Sequence, residues 1–198
     1  MIERALISVY DKSGLGELVE ALGAYNVEII SSGGTAKRIG ELGYGKLVEV
    51  SDYTGFPESP GGLVKTLHPK VHGGLLMDVG DPGHRRWMQE NGVKPIDLVV
   101  VNLYPFEEVV ARGAGLLEAG HNIDIGGPTM VRSAAKASLL YGRTCVVTDS
   151  AQYSEVIEVL RKNQGELTAG LRRRFALEAF KRTAAYDKAI VGYLEEAL

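Results

Sequence analysis

Residues 61 to 74 read Gly-Gly-Leu-Val-Lys-Thr-Leu-His-Pro-Lys-Val-His-Gly-Gly, with no helical or strand period. Cations, a threonine hydroxyl and paired glycines in one such segment suit a pocket for a phosphorylated ligand, with Lys65 and Thr66 as donors. Residues 31 to 36, Ser-Ser-Gly-Gly-Thr-Ala, suit the same ligand by another route. Gly33 and Gly34 let the backbone turn N–H groups toward an anion, Ser31, Ser32 and Thr35 add hydroxyls, and a following helix presents its positive end. An ordinary capped strand-to-helix turn uses the same residues, and Lys12 in another strand-end loop favours the anion reading. A third segment, Asp124-Ile125-Gly126-Gly127-Pro128, sets an acid and a glycine pair before a helix start. Its N–H groups suit a developing oxyanion, with Pro128 expected at the first helical position. Beyond it Arg132 and Lys136 share a helix face, either as site cations or as snorkelling surface side chains.

Other chemistries fail on spacing. Val64 precedes Lys65 where a triphosphate P-loop needs glycine, and no G-x-G-x-x-G follows a strand. His68 and His72 have the spacing of metal ligands, but Pro69-Lys70 lie between them and no third ligand is near, so no metal is expected. Cys145 sits in the apolar run Thr144 to Val147 and reads as a buried hydrophobe rather than a nucleophile.

These segments need a scaffold. Residues 5–9, 27–30 and 47–50 read as strands alternating with helices that begin near Leu15 and Thr35, an order that implies a parallel sheet with crossover helices. Further strands are expected over 96–102 and 143–147, and helices over 82–91, 128–139, 151–162 and 168–196; residues 51–69 read as irregular. Ligands of such sheets gather beyond the carboxyl ends of the strands. Ser8 to Lys12, Ser31 to Thr35, Asn102 to Tyr104 and Asp124 are therefore expected to face one crevice. The 198 residues, 45% hydrophobic, suit one domain. With 22 basic against 25 acidic residues there is no global field to gather nucleic acid or a membrane surface. No apolar run approaches the roughly 20 residues of a membrane span, and the N-terminus lacks a signal peptide's apolar block, so a cytoplasmic protein is expected.

Taken in order, Ser31 to Thr35, Val64-Lys65-Thr66-Leu67-His68-Pro69, Asn102-Leu103-Tyr104-Pro105-Phe106, Asn122 to Met130, Ala134-Ala135-Lys136 and Phe180 to Asp187 resemble the inosine-monophosphate (IMP) cyclohydrolase domain of the bifunctional purine biosynthesis proteins. The resemblance implies a methylglyoxal-synthase-like α/β fold with a mostly parallel sheet and a helical C-terminal segment. It also implies closure of 5-formamidoimidazole-4-carboxamide ribonucleotide to IMP, without cofactor or metal, in a homodimer. The folate-dependent formyltransferase half that follows in the family is absent from these residues, leaving a formyltransferase as a possible partner. Leu63 stands where many relatives have arginine, and Tyr10 where a serine is usual. Carried onto this sequence, Lys12 and Ser31 to Thr35, with Ser8, Thr66 and Asn102, are expected to hold substrate and phosphate. Ile125 to Gly127 with Lys65 are expected to meet charge on the formyl oxygen, Asp124 to take the carboxamide proton, and Tyr104 and Lys136 to complete proton transfer, with the roles of the two lysines interchangeable. The rivals are methylglyoxal synthase and a non-catalytic sensing module for phosphorylated ligands.

Overall fold

The computed structural model describes residues 1–198. Short runs rich in Val, Ile and Leu form β1 (Arg4–Val9), β2 (Glu28–Ser31), β3 (Leu47–Glu49), β4 (Leu98–Asn102) and β5 (Cys145–Val147). All neighbouring pairs are parallel and the order across the sheet is β3-β2-β1-β4-β5. The chain thus builds outward from β1 through β2 to β3, then crosses back to lay β4 on the other side. That reversal makes the space beyond the carboxyl ends of β1 and β4 the switch point where such sheets hold ligands.

Helices cover both faces, which is why the strands read as continuous apolar runs. Ala5, Ile7 and Val9 point to one face and pack with α1 (Leu15–Gly23), α2 (Gly33–Glu41) and α9 (Tyr153–Lys162). Leu6 points to the other, where it joins Val99, Val101 and Val146 against α3 (Val50–Thr54), α4 (Pro69–Leu76), α6 (Phe106–Ala111), α7 (Leu116–His121) and α8 (Gly126–Tyr141). Helix α10 (Ala169–Ala197) wraps the β5 edge, giving Leu171 and Phe175 to the first core and Ala176, Ala179 and Tyr186 to the second.

The expected strands, crossover helices and C-terminal helix are present, with local differences. Strands expected from residues 96 and 143 begin at Leu98 and Cys145. Arg143 instead turns its guanidinium onto the carbonyls of Gly74 (2.8 Å) and Leu75 (3.1 Å), satisfying the last turn of α4. The segment expected to be irregular contains nearly all of α3, and α4 starts at its last residue, with Pro69 in the first turn and His68 as the cap. Helix α8 begins at Gly126, two residues before the expected start; Pro128 is accommodated because a first-turn residue has no intrahelical acceptor for its N–H. Helix α5 (Pro82–Glu90) falls as expected. The Cys145 thiol is fully buried in β5, and burial pushes it up to about 12, which leaves it unreactive.

Candidate active site

Beyond the carboxyl ends of β1, β2 and β4 lies a cavity of about 440 Å³. One end gathers groups whose chemistry suits an anion. The first-turn N–H groups of α2, at Gly33, Gly34 and Thr35, have no acceptor within the helix, and its dipole adds partial positive charge. The Ser32 hydroxyl beside them is buried and bonds to nothing in the protein. Two ammonium groups flank this turn. A Cβ added at Gly34 would lie 3.8 Å from Lys12 Nζ, and one at Gly33, whose φ is +56°, 3.1 Å from Lys65 Nζ. The second approach brings the 61–74 segment onto the serine-glycine turn. Gly62, at φ +67°, leaves room for Glu58, whose Oε1 lies 3.3 Å from Lys65 Nζ.

The other end holds the acid. Asp124 Oδ1 accepts the Gly127 N–H at 2.8 Å, which starts α8 and fixes the carboxylate against it. Burial pushes the Asp124 carboxyl above its ordinary range, with the Gly127 and Tyr104 N–H groups pulling it back in part. The Asp124 N–H in turn donates to the Tyr186 hydroxyl of α10 at 2.8 Å. Ile125 N–H donates to nothing in the protein, and Gly126, the first residue of α8, has no acceptor within its helix. Both residues line the cavity, as do Tyr104 and Thr66. A cluster of cationic and N–H groups suited to an anion and a partly buried acid beside unpaired amide donors thus share one small-molecule-sized space.

A family model described as MGS-like domain matches residues 14–129, more than half of the chain. The chain belongs to the MGS-like domain family. The C-terminal part of this MGS-like domain protein, residues 134–198, matches the AICARFT/IMPCHase bienzyme family. It is 50% identical over its whole length to the bifunctional purine biosynthesis protein PurH of Bradyrhizobium diazoefficiens, and 52% identical over 98% of its length to that of Magnetococcus marinus. The chain spans about a third, 36%, of the length of each of these relatives. The crystal structure of ForH superposes on 98% of the chain and on all of ForH, with a TM-score of 0.83 at 28% identity.

Of the residues singled out in the sequence, Ser8, Lys12, Ser32, Gly34, Thr35, Lys65, Thr66, Asn102, Tyr104, Asp124, Ile125, Gly126 and Gly127 line the cavity of this MGS-like domain. Several do so in a different capacity from the one expected. The Thr35 hydroxyl is spent on the end of β1, donating to Val9 O at 2.9 Å and accepting from Val9 N–H at 3.0 Å. Asn102 uses its side chain to hold the loop after β1, accepting from Tyr10 and Asp11 N–H and donating to Asp11 O. The Gly127 N–H is taken by Asp124, so the free donors are those of Ile125 and Gly126 alone. Ser31 is removed from the cavity altogether: its buried hydroxyl donates to Ile7 O at 2.7 Å, across the sheet.

Lys136 does not line this cavity. It lies ten residues beyond Gly126 along α8, roughly 15 Å at 1.5 Å per residue. There it is exposed and lines a separate hollow with Leu76, Arg132, Ser133, Leu139, Leu140 and Phe180. Arg132 stacks on Phe180 at 5.6 Å in the same hollow. The histidines have structural duties: His68 Nδ1 accepts the Lys70 N–H, and His72 Nδ1 pairs with Ser133 Oγ at 3.1 Å. Nowhere do three His, Cys, Asp or Glu side chains gather as metal ligands. Sequence reasoning assigned no role to Tyr186, though it sits in the quoted Phe180 to Asp187 segment, nor a positive one to Tyr10, which lines the cavity.

Proposed function

We propose that this chain is a cytoplasmic IMP cyclohydrolase, closing 5-formamidoimidazole-4-carboxamide ribonucleotide to IMP with loss of water. The observation that carries the reading is the single cavity joining Lys12, Ser32, Lys65 and the α2 N-terminus to Asp124 and the Ile125 and Gly126 donors. Identity to the N-terminal part of PurH over the whole chain supports the substrate class.

The ribose phosphate occupies the α2 end. Both reacting groups sit on the same imidazole, so the attack is already intramolecular, and the anchorage serves to hold the conformer that sets the carboxamide nitrogen against the formyl carbon. As the new C–N bond forms, charge moves onto the formyl oxygen, where the Ile125 and Gly126 N–H groups meet it, while the Lys65 ammonium stays beside the α2 turn with the phosphate. Asp124 accepts the proton that the carboxamide nitrogen sheds; its raised pKa makes it a better base than an ordinary aspartate. The formyl oxygen then leaves as water, taking one hydrogen from the carboxamide nitrogen and one from the formamide nitrogen. Tyr104, at the cavity wall, relays a proton to this leaving oxygen.

The deciding experiment follows the ultraviolet change as purified protein meets the formylated ribonucleotide. Catalysed IMP formation is expected; tight IMP binding without turnover would replace the enzyme with a sensing module. Because Lys136 faces another hollow, Lys136→Ala is expected to keep kcat within about threefold of wild type. A much larger fall at unchanged melting temperature would bring Lys136 back into the mechanism.

The same reading includes a homodimer that acts beside a formyltransferase. Exposed Leu139, Leu140, Leu177 and Val191 on α8 and α10 support an interface there. Sedimentation is expected to give twice the 21.3 kDa chain mass, and a monomer at micromolar concentration would exclude the dimer.

A further inference from the structure

We propose that Tyr10 determines how the site receives the ligand's heteroaromatic ring, by holding Tyr104 in place as one wall of the cavity. This rests on the nucleotide reading above. The cavity is polar along most of its length, yet two large aromatic side chains stand at it about half exposed, Tyr10 at 54% and Tyr104 at 48%. Their rings meet edge to face, with centroids 5.6 Å apart and planes at 68°. That geometry places the positive edge of one ring on the negative face of the other and restricts both.

The backbone beneath Tyr10 is fixed from the strand that leads to Tyr104. Its N–H donates to Asn102 Oδ1 at 2.6 Å, and Asn102 ends β4 two residues before Tyr104. Its carbonyl accepts the Lys12 ammonium at 3.2 Å, so the loop that carries the phosphate-end lysine also carries this ring. A phosphate held near Lys12 and Gly34 therefore shares its cavity with the half-exposed Tyr104 ring, whose flat face suits an imidazole or purine ring. Tyr10 is a positioning residue: it acts through Tyr104, and its ring rather than its hydroxyl carries the effect.

The test is a double-mutant cycle on the full chain with Tyr10→Ala, Tyr104→Ala and the double variant, titrated with IMP and with ribose 5-phosphate, which lacks the ring. Tyr10→Ala is expected to raise the Kd for IMP about three- to tenfold, the range for an aromatic pair, and to leave ribose 5-phosphate unchanged. In the Tyr104→Ala background it is expected to add less than about twofold, the non-additivity of residues that act as one unit. Tyr10→Phe is expected to bind IMP as wild type does. Equal losses for both ligands, additive losses in the cycle, or a Tyr10→Phe as weak as Tyr10→Ala would each overturn the proposal. A wild type that binds IMP without converting the formylated ribonucleotide would overturn the cyclohydrolase and leave the cycle to decide Tyr10 on its own. A wild type that binds neither ligand would overturn both.

Discussion

Replacing Asp124 with asparagine is expected to lower kcat for IMP formation by about 10²- to 10⁴-fold, the contribution of a positioned general base, with little change in the Kd for IMP. Melting temperature at pH 8 is expected to rise. Both effects come from the burial that pushes the Asp124 carboxyl above its ordinary range. The raised pKa means that the folded chain binds this proton more tightly than the unfolded chain does. Stability contributed by the protonated carboxyl is therefore present below the ordinary carboxylate range and is lost as pH rises through the folded value. Asparagine imitates the protonated group and can keep the acceptor for the Gly127 N–H. The variant should gain on wild type at pH 8 and match it near pH 4. For wild type, kcat is expected to rise with pH through an inflection above the ordinary carboxylate range, and that inflection should vanish in the variant. Melting scans at the two pH values with a pH–kcat profile check this. Undiminished turnover would remove Asp124 as the base.

Gly127→Ala should lose both activity and stability. An added Cβ would lie 2.8 Å from Leu103 Cδ2 and closer still to the Asp124 carboxylate. Leu103 belongs to the core and has little freedom to retreat. The start of α8 must move instead, and with it the Gly127 bond to Asp124 and the Ile125 and Gly126 donors. Overpacking of this kind costs about 1–3 kcal/mol, and a displacement near 1 Å in a catalytic arrangement costs roughly 10²-fold in rate. A lower urea midpoint together with a fall in kcat of that size is the expected outcome. Wild-type turnover in this variant would mean that the chemistry does not use the turn. The pair of variants separates two kinds of damage, since only Gly127→Ala should weaken the fold.

The strands were legible because a sheet covered on both faces needs uninterrupted apolar runs, as in residues 98–101. Strand ends then pointed to the cavity, which gathers the polar clusters after β1, β2 and β4. The short helices α3, α6 and α7 span only five or six residues each, too few for a period to emerge. The start of α8 was misjudged because Pro128 is a strong local signal, whereas the side chain that opens the helix, Asp124, lies outside it. Spacing along α8 correctly put Arg132 and Lys136 on one face, but spacing does not say which way that face looks, and it looks to the second hollow. Nor does any local rule connect Asp124 to a tyrosine 62 positions later.

That separation gives the site an order of assembly. By the time β5 has emerged during synthesis, the chain already contains both cavity lysines, the serine-glycine turn and Asp124. The hydroxyl that fixes the backbone at Asp124 is then still to come. At about 5–20 residues per second, the 62 residues between Asp124 and Tyr186 take roughly 3–12 s to make. A nascent chain therefore carries the residues of the α2 end of the cavity some seconds before the hydroxyl that fixes Asp124 has been made.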